Sequence, residues 1–132
     1  MTTTQPIDSS ISEILQRFPQ VRLAILFGSC ARGTASADSD LDLAVQAAEP
    51  LDTATRIRLI GDLAERLGRP VDLVDLQHAG EPLLGEILKG RRILGDDTAH
   101  AQLITRHLLD AADFLPYRDR ILAERRRRWT GS

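Results

Sequence analysis

The chain has 132 residues, of which 42% are hydrophobic and only 4% are aromatic, enough for one globular domain with a core of Leu, Ile, Val and Ala. Its net charge of −2 argues against a protein that coats nucleic acid, and its single cysteine, Cys30, excludes an internal disulfide and a cysteine-based metal cluster. We see neither a signal peptide nor an apolar run of the roughly 20 residues that span a membrane, and we therefore expect a cytoplasmic protein.

The first half of the chain predicts one helix followed by two strands. Asp8 or Ser9 can cap a helix that runs to about Phe18. The run VRLAILF (21–27) is dense in branched residues and predicts a buried strand. The stretch DLDLAVQ (40–46) has a period of two, with Asp40, Asp42 and Ala44 alternating with large apolar residues, which is the pattern of a second strand.

The second half continues the alternation of helices and strands. Asp52 or Thr53 can cap a helix that ends near Leu67, where Gly68 suits the C-terminal cap. A strand, a short helix, an edge strand and a longer helix are then predicted over residues 70–76, 81–88, 91–94 and 97–114. This order predicts an α/β (α+β) domain in which a small mixed sheet is flanked by helices.

The turn between the first two strands has the composition of a phosphate site. GSCARGT (28–34) predicts a tight turn followed by a short helical turn, and the unpaired N–H groups at a helix N-terminus suit phosphate oxygens. Gly28 would let a phosphate approach the backbone, Ser29 would add a hydroxyl, and Gly33 would let the chain turn away. Taken alone, a Gly-Ser pair is more often only a turn.

Acidic residues lie inside two of the predicted strands. Asp40 and Asp42 are two residues apart, so their side chains point to the same face, where the charges repel unless a cation neutralises them. A hard divalent ion such as Mg²⁺ fits these oxygen ligands. Asp72 and Asp75 are three apart and point to opposite faces, so at most one can join the pair. Asp72 lies within an apolar run, where an unpaired acid is costly, whereas Asp75 near the strand end is more easily solvated.

Three acids around two Mg²⁺ ions would suit in-line phosphoryl or nucleotidyl transfer, the alternative being that Asp40 only caps the turn and Asp72 lies exposed at a sheet edge. The stretch LFGSCARGTASADSDLDLAV (26–45) resembles the G-S-x-x-R-G-x(n)-S-D-x-D-L signature of the DNA polymerase β-like nucleotidyltransferase superfamily. PVDLVDL (70–76) resembles the strand that supplies the third acid of that superfamily. Motif order and spacing match over roughly residues 10–95, and in its length the chain is similar to the minimal nucleotidyltransferases, the MntA-type antitoxins.

This resemblance implies roles for individual residues. Gly28 and Ser29 would hold the phosphates of ATP, and Arg32, at the Arg of the motif, would steady the phosphate or the turn itself. The catalytic residues and metal ligands would be the three acids, Asp40, Asp42 and Asp72. Asp72 would also help to activate the attacking hydroxyl. Residues 1–96 would form the catalytic domain and residues 97–132 a helical extension of it.

The resemblance also implies a partner. Minimal nucleotidyltransferases of this kind are paired with a HEPN-domain ribonuclease toxin and neutralise it by transferring AMP from ATP to a tyrosine of the toxin. We therefore expect a hetero-oligomer with the toxin. We expect neither direct binding to nucleic acid nor binding to a membrane. No acceptor-binding domain is recognisable after the catalytic one, which agrees with an acceptor on a second chain. Two alternatives stay open: an antitoxin that only masks the toxin by binding, and a nucleotidyltransferase that acts on a small molecule or RNA.

Other polar residues have weaker functional signals. The histidines share no metal-ligand spacing, and we expect all of them at the solvated surface: His78, His100 and His107. Arg91 and Arg92 follow the third strand and could reach a nucleotide, but surface positions are expected for them as well. The run RRRRW (125–129) would either dock RNA or an acidic partner, or end a solvated helix.

Overall fold

The computed structural model describes residues 6–36 and 39–111 of the chain. Five helices and four strands are found in this part. In chain order they are α1 (Pro6–Leu15), β1 (Val21–Phe27), α2 (Ser29–Arg32), β2 (Leu41–Ala47), α3 (Thr53–Leu67), β3 (Val71–Asp75), α4 (Leu83–Leu88), β4 (Arg91–Leu94) and α5, helical over residues 97–111. The mixed α/β class predicted from the sequence is confirmed.

The four strands form one sheet in the order β3-β2-β1-β4. β1 pairs antiparallel with β2 on one side and with β4 on the other, whereas β2 and β3 are parallel. Since a parallel pair needs a crossover connection, α3 carries the chain from the end of β2 back to the edge where β2 began. β2 and β3 therefore start at the same edge of the sheet, and their first residues are neighbours.

Each face of the sheet has its own apolar cluster. α1 and α3 cover the first face, and the buried residues there include Ile14, Leu43 and Leu63. α4 and α5 cover the second face, where Ala44 and Leu103 are buried among others. Alternation along β2 therefore assigns its odd-numbered residues to the first face and its even-numbered residues to the second.

The predicted ends of α3 are confirmed by its capping contacts. Asp52 accepts a hydrogen bond from the backbone N–H of Thr55 at 2.7 Å, which satisfies one of the unpaired donors of the first turn. At the other end Gly68 has a φ of 66°, and its N–H donates to the carbonyl of Ala64. A residue in this left-handed conformation ends the helix and turns the chain toward β3.

The predicted bounds of α1 are wrong at both ends. The helix begins at Pro6, a residue that suits the first helical position, and the carboxylate of Asp8 binds Arg91 instead of capping. It ends at Leu15, and the next turn is tightened by a hydrogen bond from the N–H of Phe18 to the carbonyl of Leu15. Pro19 is consistent with this ending, because a proline has no backbone N–H that could donate to the carbonyl of Leu15 and continue the helix.

Several expectations are not decided by these residues. The division at residues 96 and 97 stays a prediction. The end of the last helix near residue 114 and the arginine run at 125–128 lie outside the described residues. Within residues 6–36 and 39–111, no helix is both long and apolar enough to cross a membrane.

Candidate active site

Two of the predicted site acids face each other across the parallel strands. Asp42 on β2 pairs in register with Asp72 on β3. Asp42 alternates with the buried residues Leu41 and Leu43, so it lies on the second face of the sheet, at the edge where both strands begin. Asp40 precedes β2 by one residue and is two residues from Asp42. The structure thus brings the three acids to one edge of the sheet.

The charges at this edge act on one another. The pKa of Asp42 is raised above its ordinary value, first by partial burial and then by the negative charges of Asp72 and Asp40, while Arg32 acts in the opposite direction. Asp42 is half-buried, whereas Asp40 and Asp72 are exposed. Asp40, Asp72 and Arg32 therefore all lie within electrostatic reach of Asp42.

The acids are neighbours without forming a closed cluster. In the part of the chain that the structure describes, no three His, Cys, Asp or Glu side chains already converge as a metal centre. The site supplies oxygen ligands at one edge rather than a preformed cage.

The Gly-Ser turn lies directly beside these acids. Gly28 has φ 74° and ψ −156°, and the carboxylate of Asp42 occupies the position where a Cβ of residue 28 would be. Ser29 begins α2, whose first turn has no side-chain cap. Gly33, with φ 75°, ends α2 and lets the N–H of Thr34 donate to the carbonyl of Ser29. The predicted turn, short helix and second turn are all confirmed.

These residues fit the groups that the fold implies. Three carboxylates offer only oxygen donors, and Mg²⁺ is commonly held by one or two carboxylates together with phosphate oxygens and water. The absence of a side chain at Gly28 lets the carboxylate of Asp42 lie directly against this turn, so a phosphate bound at the turn would lie beside the acids. Mg²⁺ and a nucleotide are therefore compatible with the residues present.

Asp75 is separated from the site by the register of β3. It pairs with Val45, whose side chain belongs to the cluster on the first face, so Asp75 lies on the opposite side of the sheet from Asp72. Its carboxylate accepts a hydrogen bond from the backbone N–H of Gln77 at 2.9 Å. Asp72, as expected from the spacing, is the acid of this strand that can join the pair.

Sequence reasoning missed the residues that hold Asp40 in place. The thiol of Cys30 donates to the carbonyl of Asp40 at 3.5 Å, and the guanidinium of Arg69 lies 3.4 Å from the carbonyls of Ser36 and Ser39. Of these residues, Ser39 could be recognised in the sequence as part of the family motif, although its contact with Arg69 could not. The only local signal for Arg69 was its position three residues before Asp72, since its contacts are made to residues at least 30 positions away.

Two residues expected at the solvated surface are partly buried against long-range partners. Arg91 is half-buried and binds both carboxylate oxygens of Asp8, at 2.9 and 3.1 Å, and the carbonyl of Ala31 at 2.5 Å. His107 is also half-buried, and its Nδ1 donates to the carboxylate of Glu81. Long-range partners, which no local pattern reveals, account for both differences.

Comparison with known proteins agrees with this geometry. The family model for polymerase beta nucleotidyltransferases matches residues 9–99. Over 90 residues the chain is 38% identical to the protein adenylyltransferase MntA of Shewanella oneidensis, an alignment that spans 67% of this chain and 65% of that protein. The match therefore covers slightly less than two thirds of the relative.

Two solved structures resemble the chain over most of its length. One is the crystal structure of a toxin–antitoxin with AMP-PNP, with a TM-score of 0.77, 29% identity, and coverage of 89% of this chain and 96% of the other. The second contains the tri-AMPylated HEPN toxin of Shewanella oneidensis in complex with the MNT antitoxin, with a TM-score of 0.72, 27% identity, and coverage of 89% and 94%. Since the family match covers more than half of the sequence and the fold agrees, the chain belongs to the polymerase beta nucleotidyltransferase family.

Proposed function

We propose that this chain is an antitoxin that transfers AMP from ATP to a hydroxyl, on a tyrosine, of a HEPN-domain ribonuclease toxin and so neutralises it. The observation that carries the proposal is the register pairing of Asp42 with Asp72 beside Gly28. The 38% sequence identity to a protein adenylyltransferase and the structural similarity to toxin–antitoxin proteins support the choice of a protein acceptor. The use of ATP also favours the cytoplasm as the place of reaction.

In this proposal the chain's own residues bind and orient the nucleotide. The backbone at Gly28 and the hydroxyl of Ser29 would hold the phosphates. Asp40, Asp42 and Asp72 would hold Mg²⁺, expected as two ions, which neutralises negative charge on the phosphates and orients them. Arg32 offsets part of the negative charge around Asp42.

Asp72 is the proposed base. It is exposed, and it lies across from Asp42 at the open edge of the sheet, where an acceptor from a second chain can approach. The hydroxyl oxygen of the acceptor would attack the α-phosphorus while its proton passes to Asp72. A bond between that oxygen and phosphorus forms, the bond to the bridging oxygen breaks, and pyrophosphate leaves.

The proposal is tested by separating charge from shape at Asp72. Asp72→Asn keeps the volume of the side chain and removes the carboxylate, so the variant should fold and associate with the toxin in a hetero-oligomer but transfer no AMP. Mass spectrometry of the co-expressed toxin measures the transfer, and co-elution measures association. Asp75→Asn is the matched control, since it makes the same chemical change on the opposite face of the same strand.

Each pattern of results has a different meaning. Loss of AMP transfer and of protection from the toxin in Asp72→Asn, with both retained in Asp75→Asn, supports the enzyme. Full protection by both variants with no AMP on the toxin supports an antitoxin that works only by masking. Transfer of AMP to RNA or a small molecule, but not to the toxin, would replace the proposed acceptor.

A further inference from the structure

We propose that Arg69 is a positioning residue that fixes Asp40 at the metal site, an inference that rests on the proposed metal-binding role of Asp40. Asp40 lies just before β2, outside the ladder of hydrogen bonds that orients Asp42 and Asp72. Its side chain is exposed, so packing does not hold it. Another part of the chain must therefore set the position of this acid.

The backbone on both sides of Asp40 is held by the segment that leads into β3. Arg69 Nη1 donates to the carbonyl of Ser39 at 3.4 Å, directly before Asp40. The N–H of Leu41, directly after Asp40, donates to the carbonyl of Pro70 at 2.8 Å. Two consecutive residues, Arg69 and Pro70, thus hold the two neighbours of Asp40.

The same guanidinium nitrogen reaches two further acceptors. Arg69 Nη1 lies 3.4 Å from the carbonyl of Ser36 and 3.4 Å from the Sγ of Cys30, whose thiol donates to the carbonyl of Asp40 itself. Ser36 and Ser39 are also bonded to each other, since the N–H of Ser36 donates to the Ser39 hydroxyl at 2.9 Å. One half-buried cation therefore ties Asp40 to α2, which contains the phosphate turn, through Cys30.

The local sequence presents Arg69 in a preset conformation. Gly68 before it is left-handed, with φ 66°, and Pro70 after it restricts Arg69 to extended backbone angles. Three residues further along the same segment lies Asp72. One short segment therefore both contains Asp72 and holds the backbone around Asp40. In this way it fixes the distance between the proposed metal ligand on β3 and the one that precedes β2.

The test measures metal binding directly and compares variants of equal charge. Arg69→Met keeps the aliphatic stem and removes the donors, and it should weaken Mn²⁺ binding about tenfold, as loss of a residue that orients a metal ligand commonly does. Titration with Mn²⁺ alone, followed by electron paramagnetic resonance of the free ion, gives this affinity. Arg66→Met is the control, because Arg66 belongs to the last turn of α3 and binds Glu13 at the surface.

Hydrogen exchange shows whether the effect is exerted through the backbone of Asp40. The amide of Leu41, which is bonded to Pro70, should exchange faster in Arg69→Met than in the wild type, while amides inside α3 are unchanged. Arg69→Lys, which keeps the charge and one donor group, should recover part of both effects. It also provides the comparison if Arg69→Met does not fold.

The outcomes separate this inference from the proposed function. Unchanged Mn²⁺ affinity and unchanged exchange at Leu41 in Arg69→Met would overturn the positioning role. Equal weakening in Arg66→Met would mean that only net charge matters, which also overturns it. If the wild type binds Mn²⁺ but transfers no AMP to the toxin, the proposed function fails while the Mn²⁺ and exchange comparisons still decide the role of Arg69.

Discussion

The carboxylate of Asp42 lies against the Cα of Gly28. A Cβ built on residue 28 would overlap Oδ2 of Asp42 and lie 3.2 Å from its Cγ. In addition, the φ of 74° and ψ of −156° at Gly28 are backbone angles that side chains with a Cβ strongly disfavour. Glycine is therefore required at this position both for its backbone freedom and for the space that it leaves to the acid.

Gly28→Ala should destabilise the protein by about 1–3 kcal/mol through backbone strain, and the collision should displace the Asp42 carboxylate from its place opposite Asp72. Loss of AMP transfer is expected to accompany the loss of stability. Urea unfolding gives the free energy, and labelled ATP gives the transfer rate.

Two comparisons separate the collision from the strain. Gly33→Ala has a similar φ of 75° but no atom within 4 Å of the added Cβ, so it should lose stability by backbone strain alone and keep its activity. Introducing Gly28→Ala into an Asp42→Ala background should be less destabilising than in the wild type, since the colliding carboxylate is gone. Equal destabilisation in both backgrounds would contradict the close approach.

Asp42→Asn should be more stable than the wild type at neutral pH in the absence of divalent ions. The pKa of Asp42 is raised in the folded state by burial and by the charges of Asp72 and Asp40, so its ionised form destabilises the fold. This penalty is full above the raised pKa and disappears as the pH falls below the ordinary value of 3.8. The advantage of Asp42→Asn should therefore shrink in thermal melts recorded at decreasing pH.

Asp52→Ala should change the stability in the opposite direction from Asp42→Asn. Hydrogen bonds with the side chain and backbone N–H of Thr55 lower the pKa of Asp52, so its ionised form stabilises the fold above its ordinary pKa, and this contribution is lost as the pH falls through the lowered value. The variant should thus be less stable than the wild type at neutral pH, with a deficit that narrows in acid. Parallel pH trends for the two variants would contradict one of the two assignments.

Local patterns in the sequence predicted the elements that form the site. Alternation along residues 40–46 and 70–76 predicted which acids share a face, and the structure places Asp72 rather than Asp75 opposite Asp42. The register between β2 and β3 was not predictable, because it depends on how α3, which connects the two strands, packs on the face of the sheet. A slip of one residue would have moved Asp72 to the other face.

Contacts between distant residues were not predictable for a different reason. Arg91 and Asp8 are 83 positions apart, and neither has a neighbour in the sequence that suggests the other. The same holds for Glu81 and His107, which are 26 positions apart. Such pairs are selected by the tertiary packing of helices on the sheet, and sequence periodicity describes only which face of an element is buried.

Arg91→Met should lower the free energy of unfolding by about 1–3 kcal/mol without weakening ATP binding, because the guanidinium makes charged hydrogen bonds to Asp8 and to the carbonyl of Ala31. Chemical unfolding and calorimetric titration with ATP measure the two quantities. Arg92→Met is the control, since the partner of Arg92 is the almost fully exposed Asp97 and surface ion pairs contribute about 0–1 kcal/mol. Weaker ATP binding in Arg91→Met with unchanged stability would assign Arg91 to the nucleotide instead.

Mg²⁺ should reverse the stability order of the wild type and Asp42→Asn. A cation that binds only the folded state stabilises it by about 2.7 kcal/mol at 100 times its dissociation constant. Its charge also offsets the burial and the repulsion by Asp72 and Asp40 that make ionised Asp42 unfavourable. Asp42→Asn lacks one of the three proposed ligands, so its melting temperature should rise much less.

Melts in MgCl₂ should be compared with melts in NaCl of equal ionic strength, because general screening also weakens repulsion between exposed carboxylates. Asp75→Asn, altered on the opposite face of β3, should respond to Mg²⁺ as the wild type does. Equal Mg²⁺ responses in the wild type, Asp42→Asn and Asp75→Asn would show that the acids at this edge of the sheet do not hold the ion.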